Sequence, residues 1–188
     1  MNAGKLVVGL VGMPGSGKSI VVETAQEKGY HIVTMGDVVR EETRKRGLEL
    51  NPKNVGAVML DLRKTSGAGV IAERCVQRIE VSQNSKLIVD GLRSLAEADV
   101  FKAHFHGFTL LAVHASPETR FLRLKGRGRS DDPASWEVFH ERDMRELSVG
   151  LGNAVAMADY MFVNEDYKEK LKVRVADMLL KVEAKWQK

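Results

Sequence analysis

The stretch from Leu6 to Ser19 leaves this chain little freedom. Leu6-Val7-Val8-Gly9-Leu10-Val11 is an unbroken apolar run, rich in branched residues and stopped by Gly12. Continuous hydrophobicity, in place of alternation, is what a strand buried on both faces requires, and such strands belong to helix-covered parallel sheets. The run gives way to Gly12-Met13-Pro14-Gly15-Ser16-Gly17-Lys18-Ser19 and then to a helix-length stretch closed by Gly29. Glycines there let backbone N–H groups converge on an anion where a Cβ would block them. The helix that follows adds unpaired N–H groups and the positive end of its dipole at the same point. Lys18 supplies a point charge and Ser19 a hydroxyl able to ligate Mg2+. Strand, loop and helix together predict a phosphate cradle made of Gly12, Met13, Pro14, Gly15, Ser16, Gly17, Lys18, Ser19 and Ile20.

The rest of the chain repeats the alternation. Short apolar runs at His31–Thr34, 87–89, 108–113 and Tyr160–Val163 read as four more strands, with helical patterns between them. Ser116-Pro117-Glu118 combines a capping hydroxyl, a proline at the first helical position and an acid in the first turn. Asp132-Pro133 reads as a second start of that kind. Leu171, Val175, Met178, Leu179, Val182 and Trp186 form one apolar stripe at spacings of three and four. Strands alternating with helices give an α/β fold around a mainly parallel sheet. At 188 residues, 44% of them hydrophobic, the chain suits one domain. Residues 36–85 contain no convincing strand and read as two or three helices.

Gly-x-x-x-x-Gly-Lys-Ser is a P-loop, which binds nucleotide phosphates but leaves their fate open. No Asn-Lys-x-Asp segment is present to read guanine; Asn164-Glu165-Asp166 lacks the lysine. Lys86-Leu87-Ile88-Val89-Asp90-Gly91 places an acid at the carboxyl end of an apolar strand, the edge that faces the ligand crevice in open α/β sheets. Asp90 there is a candidate to hold Mg2+, directly or through its water shell, together with Ser19. Arg93 follows on the same edge.

Further segments carry a resemblance. Val33-Thr34-Met35-Gly36-Asp37-Val38-Val39-Arg40 resembles the segment that opens the monophosphate site of adenylate kinases. Asp90-Gly91-Leu92-Arg93 resembles their Asp-Gly-Phe-Pro-Arg, with the arginine one residue early, and Arg123-Leu124-Lys125-Gly126-Arg127 resembles the entry to their lid. Ala158-Asp159-Tyr160-Met161-Phe162-Val163-Asn164 is similar to a late strand of dephospho-coenzyme A kinases. The combination most resembles archaeal adenylate-kinase-related P-loop nucleotide kinases.

That resemblance implies a P-loop NTPase three-layer sandwich with helices on both faces of a five-stranded sheet, order 2-3-1-4-5. It further implies one domain over residues 1–188: a core of 1–35, 86–125 and 150–188, a helical acceptor-binding insertion at 36–85 and a short lid at 126–149. The implied cofactors are ATP and Mg2+, and the implied partner is a small nucleotide-like acceptor. Lys18, Asp37, Arg127 and Arg142 would be catalytic. Arg123, Arg127 and Asn164 would join the P-loop in binding ATP. Met35, Gly36, Asp37, Arg40, Gly91 and Arg93 would form the acceptor site. Contacts from Arg93, Arg120, Arg129 and Arg145 to substrate stay open at this level.

Chemistry makes these roles reasonable in its own right. Transfer between two anionic substrates needs phosphates brought into line and charge neutralised, with water excluded. Arginine meets phosphate oxygens bidentately and stays charged when dehydrated. The expected reaction moves the γ-phosphate of Mg-ATP to a nucleoside monophosphate such as AMP. The alternatives are transfer to a sugar hydroxyl, as in dephospho-coenzyme A kinases with Asp37 as base, and an ATP-binding regulatory module with weak ATPase activity.

Charge supports the placement. The chain has 29 basic and 25 acidic residues, a net +4. Residues 119–130 hold Arg120, Arg123, Lys125, Arg127 and Arg129 with no acid, and the remaining 24 basic and 25 acidic residues leave −1. The excess therefore sits at the expected lid. With 6% aromatic residues and no nucleic-acid-binding signature, this basicity is not that of a DNA or RNA reader. A single cysteine, Cys75, points to a reducing cytoplasm, and no apolar run approaches the ~20 residues of a membrane span. The opening run is also too short and glycine-rich for a signal peptide.

Overall fold

The computed structural model of the chain describes residues 4–129 and 132–187. Residues 1–3, 130, 131 and 188, which include both ends of the expected domain and two lid positions, lie outside the described residues. In chain order the elements are β1 (Leu6–Val11), α1 (Lys18–Glu27), β2 (His31–Thr34), α2 (Met35–Lys45), α3 (Pro52–Ser66), α4 (Val70–Val81) and β3 (Lys86–Asp90). They continue with α5 (Leu95–His104), β4 (Gly107–His114), α6 (Pro117–Arg127), α7 (Trp136–Ser148), α8 (Leu151–Ala156), β5 (Tyr160–Val163) and α9 (Lys168–Trp186).

The five strands form one sheet, all pairs parallel, in the order β2-β3-β1-β4-β5. The register sets Leu10 beside Asp90 and Thr34 beside Asp90 on the far side, so the carboxyl ends of β1, β2 and β3 share one edge. Every residue of β1 is buried, as a central strand between two helical layers requires. Its side chains alternate between two cores. Val7 and Val11 pack with α2–α5 and α8, and Leu6, Val8 and Leu10 pack with α1 and α9. The apolar stripe of α9 (Leu171, Val175, Met178, Leu179, Val182) is the part of that helix that is buried.

Local chemistry accounts for the helix starts. Ser116 caps α6 by accepting from the Thr119 N–H, with Pro117 at the first position. Asn51 and Pro52 start α3 in the same way, and Ser94 caps α5. Asp132-Pro133, in contrast, does not begin a helix. The cap of α7 is Ser135, which accepts from the Val138 N–H, while Asp132 accepts from the Arg129 N–H at 2.8 Å and from the Arg127 side chain. Its carboxylate is engaged upstream and cannot also cap. The stretch read as two or three helices holds α2, α3 and α4, and α2 begins directly at Met35 with no loop after β2. Cys75 is buried on α4, where desolvation pushes its thiol up to about 12.

Candidate functional site

The P-loop connects the end of β1 to α1, and its glycines fit because nothing larger would. Gly17 has φ 103°, and a Cβ built there would lie 2.2 Å from Asn164 Nδ2. Gly15 has φ 80°, and its Cβ would lie 2.8 Å from the Arg120 carbonyl oxygen. Both positions need left-handed backbone and close approach together. Asn164, just past β5, donates from Nδ2 to the Ser16 carbonyl at 2.8 Å, and its own N–H donates to the His114 carbonyl at 2.7 Å. Its amide thus ties the loop to the ends of β4 and β5. Ser16 is fully buried beneath the loop.

Lys18 donates to the carbonyls of Gly12 at 2.6 Å and Met13 at 3.3 Å. Desolvation lowers its pKa to about 8, against an opposing pull from the Asp90 carboxylate. Asp90 shifts the other way: desolvation pushes its carboxyl above the usual range, offset in part by Lys18 and Arg93. Its Oδ1 is buried with no hydrogen-bond partner. An orphaned carboxylate oxygen next to the P-loop lysine is what a cation or its hydration shell would satisfy. Among the described residues no group of three or more His, Cys, Asp or Glu could hold a metal. Mg2+ commonly takes one or two protein oxygens and completes its shell with phosphates and water, and Ser19 and Asp90 would supply such oxygens.

A cleft of about 800 Å³ opens above the loop. Pro14, Gly15, Gly17, Lys18, Ser19 and Ile20 line it from the loop and the start of α1, and Asp90 and Arg93 from the end of β3 and the loop after it. Arg123, Arg127, Arg129 and Arg142 line it from α6, the segment after it and α7. Asn164 lines it too. Arg123 has its Nη1 buried with no hydrogen-bond partner. Arg127 forms an ion pair with Asp132, its Nε 3.0 Å from Oδ2, which holds that carboxyl below its usual range.

Other expected residues lie outside the cleft wall. Arg40 pairs with Asp37 at 2.5 Å in solvent and folds back over Gly36, whose Cβ would lie 3.0 Å from Arg40 Nη1. Met35, expected at the acceptor site, is 2% exposed and belongs to the core, because the first turn of α2 packs it inward. Gly91, with φ 101°, lies against Met35. Arg145 is exposed and does not line the cleft. Arg120, whose contact with substrate the sequence left open, is 3% exposed and forms a bidentate pair with Asp143.

Sequence reasoning found Asp90 but missed the other carboxylates of this site. Glu23, Glu146 and Asp166 line the cleft among its cations, as does Lys168. Lys168 Nζ lies 2.8 Å from Glu23 Oε2. One signal was available for Glu146, which sits four residues after Arg142 and so on the same helix face.

A parallel 2-3-1-4-5 sheet with a P-loop on its central strand and a basic cleft above it defines a P-loop protein of kinase-like fold. A family profile described as an AAA domain matches residues 11–140. The chain is 46% identical over 181 residues to a UPF0200 protein of Thermococcus onnurineus, covering 94% of this chain and 98% of that one. It is 52% identical over 162 residues to a UPF0200 protein of Methanocaldococcus jannaschii, covering 85% and 82%. The chain belongs to the UPF0200 family of AAA-domain proteins. Among solved structures it resembles a Thermus thermophilus protein with TM-score 0.63 and 17% identity, over 95% of this chain and 98% of that one. It also resembles the shikimate kinase of Bacteroides thetaiotaomicron with TM-score 0.58 and 13% identity, over 93% and 98%. A sugar kinase from a Janibacter species gives TM-score 0.58 and 18% identity, over 93% and 94%. At such identities the likeness shows the fold.

Proposed function

We propose that the protein transfers the γ-phosphoryl group of Mg-ATP to a phosphorylated, nucleotide-like acceptor such as AMP. The observation that carries this reading is convergence: Arg93 from the β3–α5 loop, Arg127 from the end of α6 and Arg142 from α7 line one cleft with Lys18. A site that only bound ATP would have less use for cations brought in from three separate elements. Transfer between two phosphates needs such a surround, because negative charge accumulates where the substrates meet.

In this reading the P-loop N–H groups and Lys18 hold the β- and γ-phosphates. Arg123, with its unpartnered buried donor, and the Asn164-braced loop frame the nucleotide. Ser19 and Asp90 would hold Mg2+, which would supply positive charge against the phosphates. An acceptor oxygen attacks the γ-phosphorus, the bond to the β–γ bridging oxygen breaks, and ADP leaves. Arg127 and Arg142 balance charge on the transferring group, and Arg93 takes the acceptor's phosphate. Residues 36–85 serve as the acceptor-binding insertion, whose approach would bring Asp37 and Arg40 toward the acceptor, and 126–149 as the lid.

The test is ADP formation with AMP, CMP, UMP, GMP, deoxynucleoside monophosphates and dephospho-coenzyme A as acceptors. Acceptor-dependent ADP that disappears in Lys18→Ala supports transfer. Turnover on dephospho-coenzyme A alone would move the assignment to a hydroxyl acceptor. Equal ATP hydrolysis without any acceptor would end the transferase reading.

A further inference from the structure

We propose that Glu146 competes with the acceptor for Arg93 and thereby sets the charge an acceptor must carry. The choice of a phosphorylated acceptor rests on the function proposed above; the competition itself rests on geometry. Glu146 and Arg93 both line the cleft and form an ion pair across it, the Glu146 side chain 14% and the Arg93 side chain 39% exposed. A carboxylate therefore already occupies the guanidinium that the proposed function assigns to the acceptor's phosphate.

The pair is delivered by fixed scaffolding on both sides. The Arg93 N–H donates to Glu97 Oε2 at 2.7 Å, and Glu97, fully buried, accepts from Arg63 at 2.7 Å through its other oxygen. The main chain of Arg93 is thus anchored without help from Glu146. On the other side, the turn between α7 and α8 rests on the same segment. Gly150, with φ 96°, is close enough that a Cβ would lie 3.6 Å from Ser94 Cβ. The turn after α7 therefore lies beside the segment carrying Arg93, one turn beyond Glu146. With the Arg93 main chain anchored and the end of α7 beside it, the exchangeable component is the side-chain partner of the Arg93 guanidinium.

Charge decides which ligands win the exchange. A phosphomonoester brings close to two negative charges and three oxygens to the guanidinium fork, against one charge and two oxygens from Glu146. A neutral hydroxyl brings neither, and would strand a largely buried carboxylate without its counter-ion. Glu146 therefore acts by exclusion: it raises the cost of neutral acceptors more than that of anionic ones. Arg142, four residues earlier on α7 and also in the cleft, lies on the same helix face as the displaced carboxylate.

The experiment is calorimetric titration of the full chain with AMP and, separately, inorganic phosphate, each with and without a non-hydrolysable ATP analogue filling the P-loop. Glu146→Gln, nearly isosteric, is expected to tighten AMP and phosphate by about tenfold, and Arg93→Gln to weaken both by about tenfold. The double variant is expected to lie close to Arg93→Gln alone, because the ion pair with Arg93 is the main route by which Glu146 acts. Unchanged or weaker binding in Glu146→Gln with an unchanged melting temperature overturns the proposal, as does tighter binding that persists without Arg93. If Glu146→Gln fails to fold, Arg93→Gln decides: no loss of phosphate affinity overturns the proposal. A Glu146 effect on phosphate affinity in a protein that turns over no acceptor would retain the competition and discard the reaction.

Discussion

Arg120 and Asp143 meet as a buried bidentate pair, Nη1 to Oδ1 at 2.9 Å and Nη2 to Oδ2 at 2.5 Å, joining α6 to α7. The same guanidinium donates to the Pro14 carbonyl in the P-loop and the Ala115 carbonyl after β4, both at 3.2 Å, and lies over the Phe139 ring. One side chain thus fixes the helix that carries Arg142 and Glu146 relative to the phosphate loop. Removing one partner leaves an uncompensated buried charge. Asp143→Ala should cost about 3–5 kcal/mol of stability, and Arg120→Met with Asp143→Leu should recover much of it. Urea denaturation of the single and double variants checks this. The recovered double variant should still bind nucleotide less well, because the Pro14 carbonyl loses its donor.

Lys18 makes nucleotide binding sensitive to alkaline pH. Its pKa of about 8 means that it loses its proton above that value, while phosphates beside it favour the charged form. Binding then takes up a proton above pH 8. Affinity for an ATP analogue should be flat between pH 6 and 7.5, then fall by up to about tenfold per pH unit above pH 8. Calorimetry in buffers of different ionisation enthalpy would read the proton uptake directly. A flat profile to pH 9.5 would contradict it.

Asp90 should control the demand for Mg2+. Desolvation raises its pKa, so protons compete with the cation as pH falls. In Asp90→Asn the Mg2+ concentration giving half-maximal activity should rise by about tenfold or more, with metal-free binding of the ATP analogue little changed. In the unaltered protein the Mg2+ requirement should climb toward acid pH, and the Asn variant should lose that dependence. Activity titrated with Mg2+ at several pH values tests both.

Two glycines should respond in opposite ways. Gly17→Ala meets Asn164 Nδ2 and a φ of 103°, so it should cost about 1–3 kcal/mol and abolish nucleotide binding. Gly126 lies in the last turn of α6, and a Cβ there would have nothing within 4 Å. Gly126→Ala should stabilise by up to about 1 kcal/mol and leave kcat unchanged. Gly128, the left-handed cap of α6 with φ 68°, is the glycine there whose backbone favours glycine. A loss of kcat in Gly126→Ala would show that the last turn of α6 must bend.

Some of this site is legible from local patterns alone. The P-loop, the burial of β1 and the acid at the end of β3 each follow from neighbours within a few residues. Steric and dipolar demands act over that range and leave a readable spacing. The sheet order is implied by resemblance, and the structure has that order. Asp132-Pro133 looks like a helix start because that pattern is local too. The carboxylate is taken by Arg127 and the Arg129 N–H, and spacing carries no record of such competition.

Linear order alone dictates a basic, glycine-rich phosphate site on a parallel α/β sheet, with the charge excess gathered in residues 119–130. What each of those charges does is settled only once the chain has folded. Arg120, one of five basic residues in that stretch, is withdrawn into the protein by Asp143, and Arg93 is held by Glu146, 53 residues away. Met35 is turned into the core while Arg40 and Asp37 pair in solvent. Ion pairs between distant segments cost no local conformational preference, so they leave no periodicity to read. They exist because folding brings opposite charges together where water is scarce, and there each must find a partner.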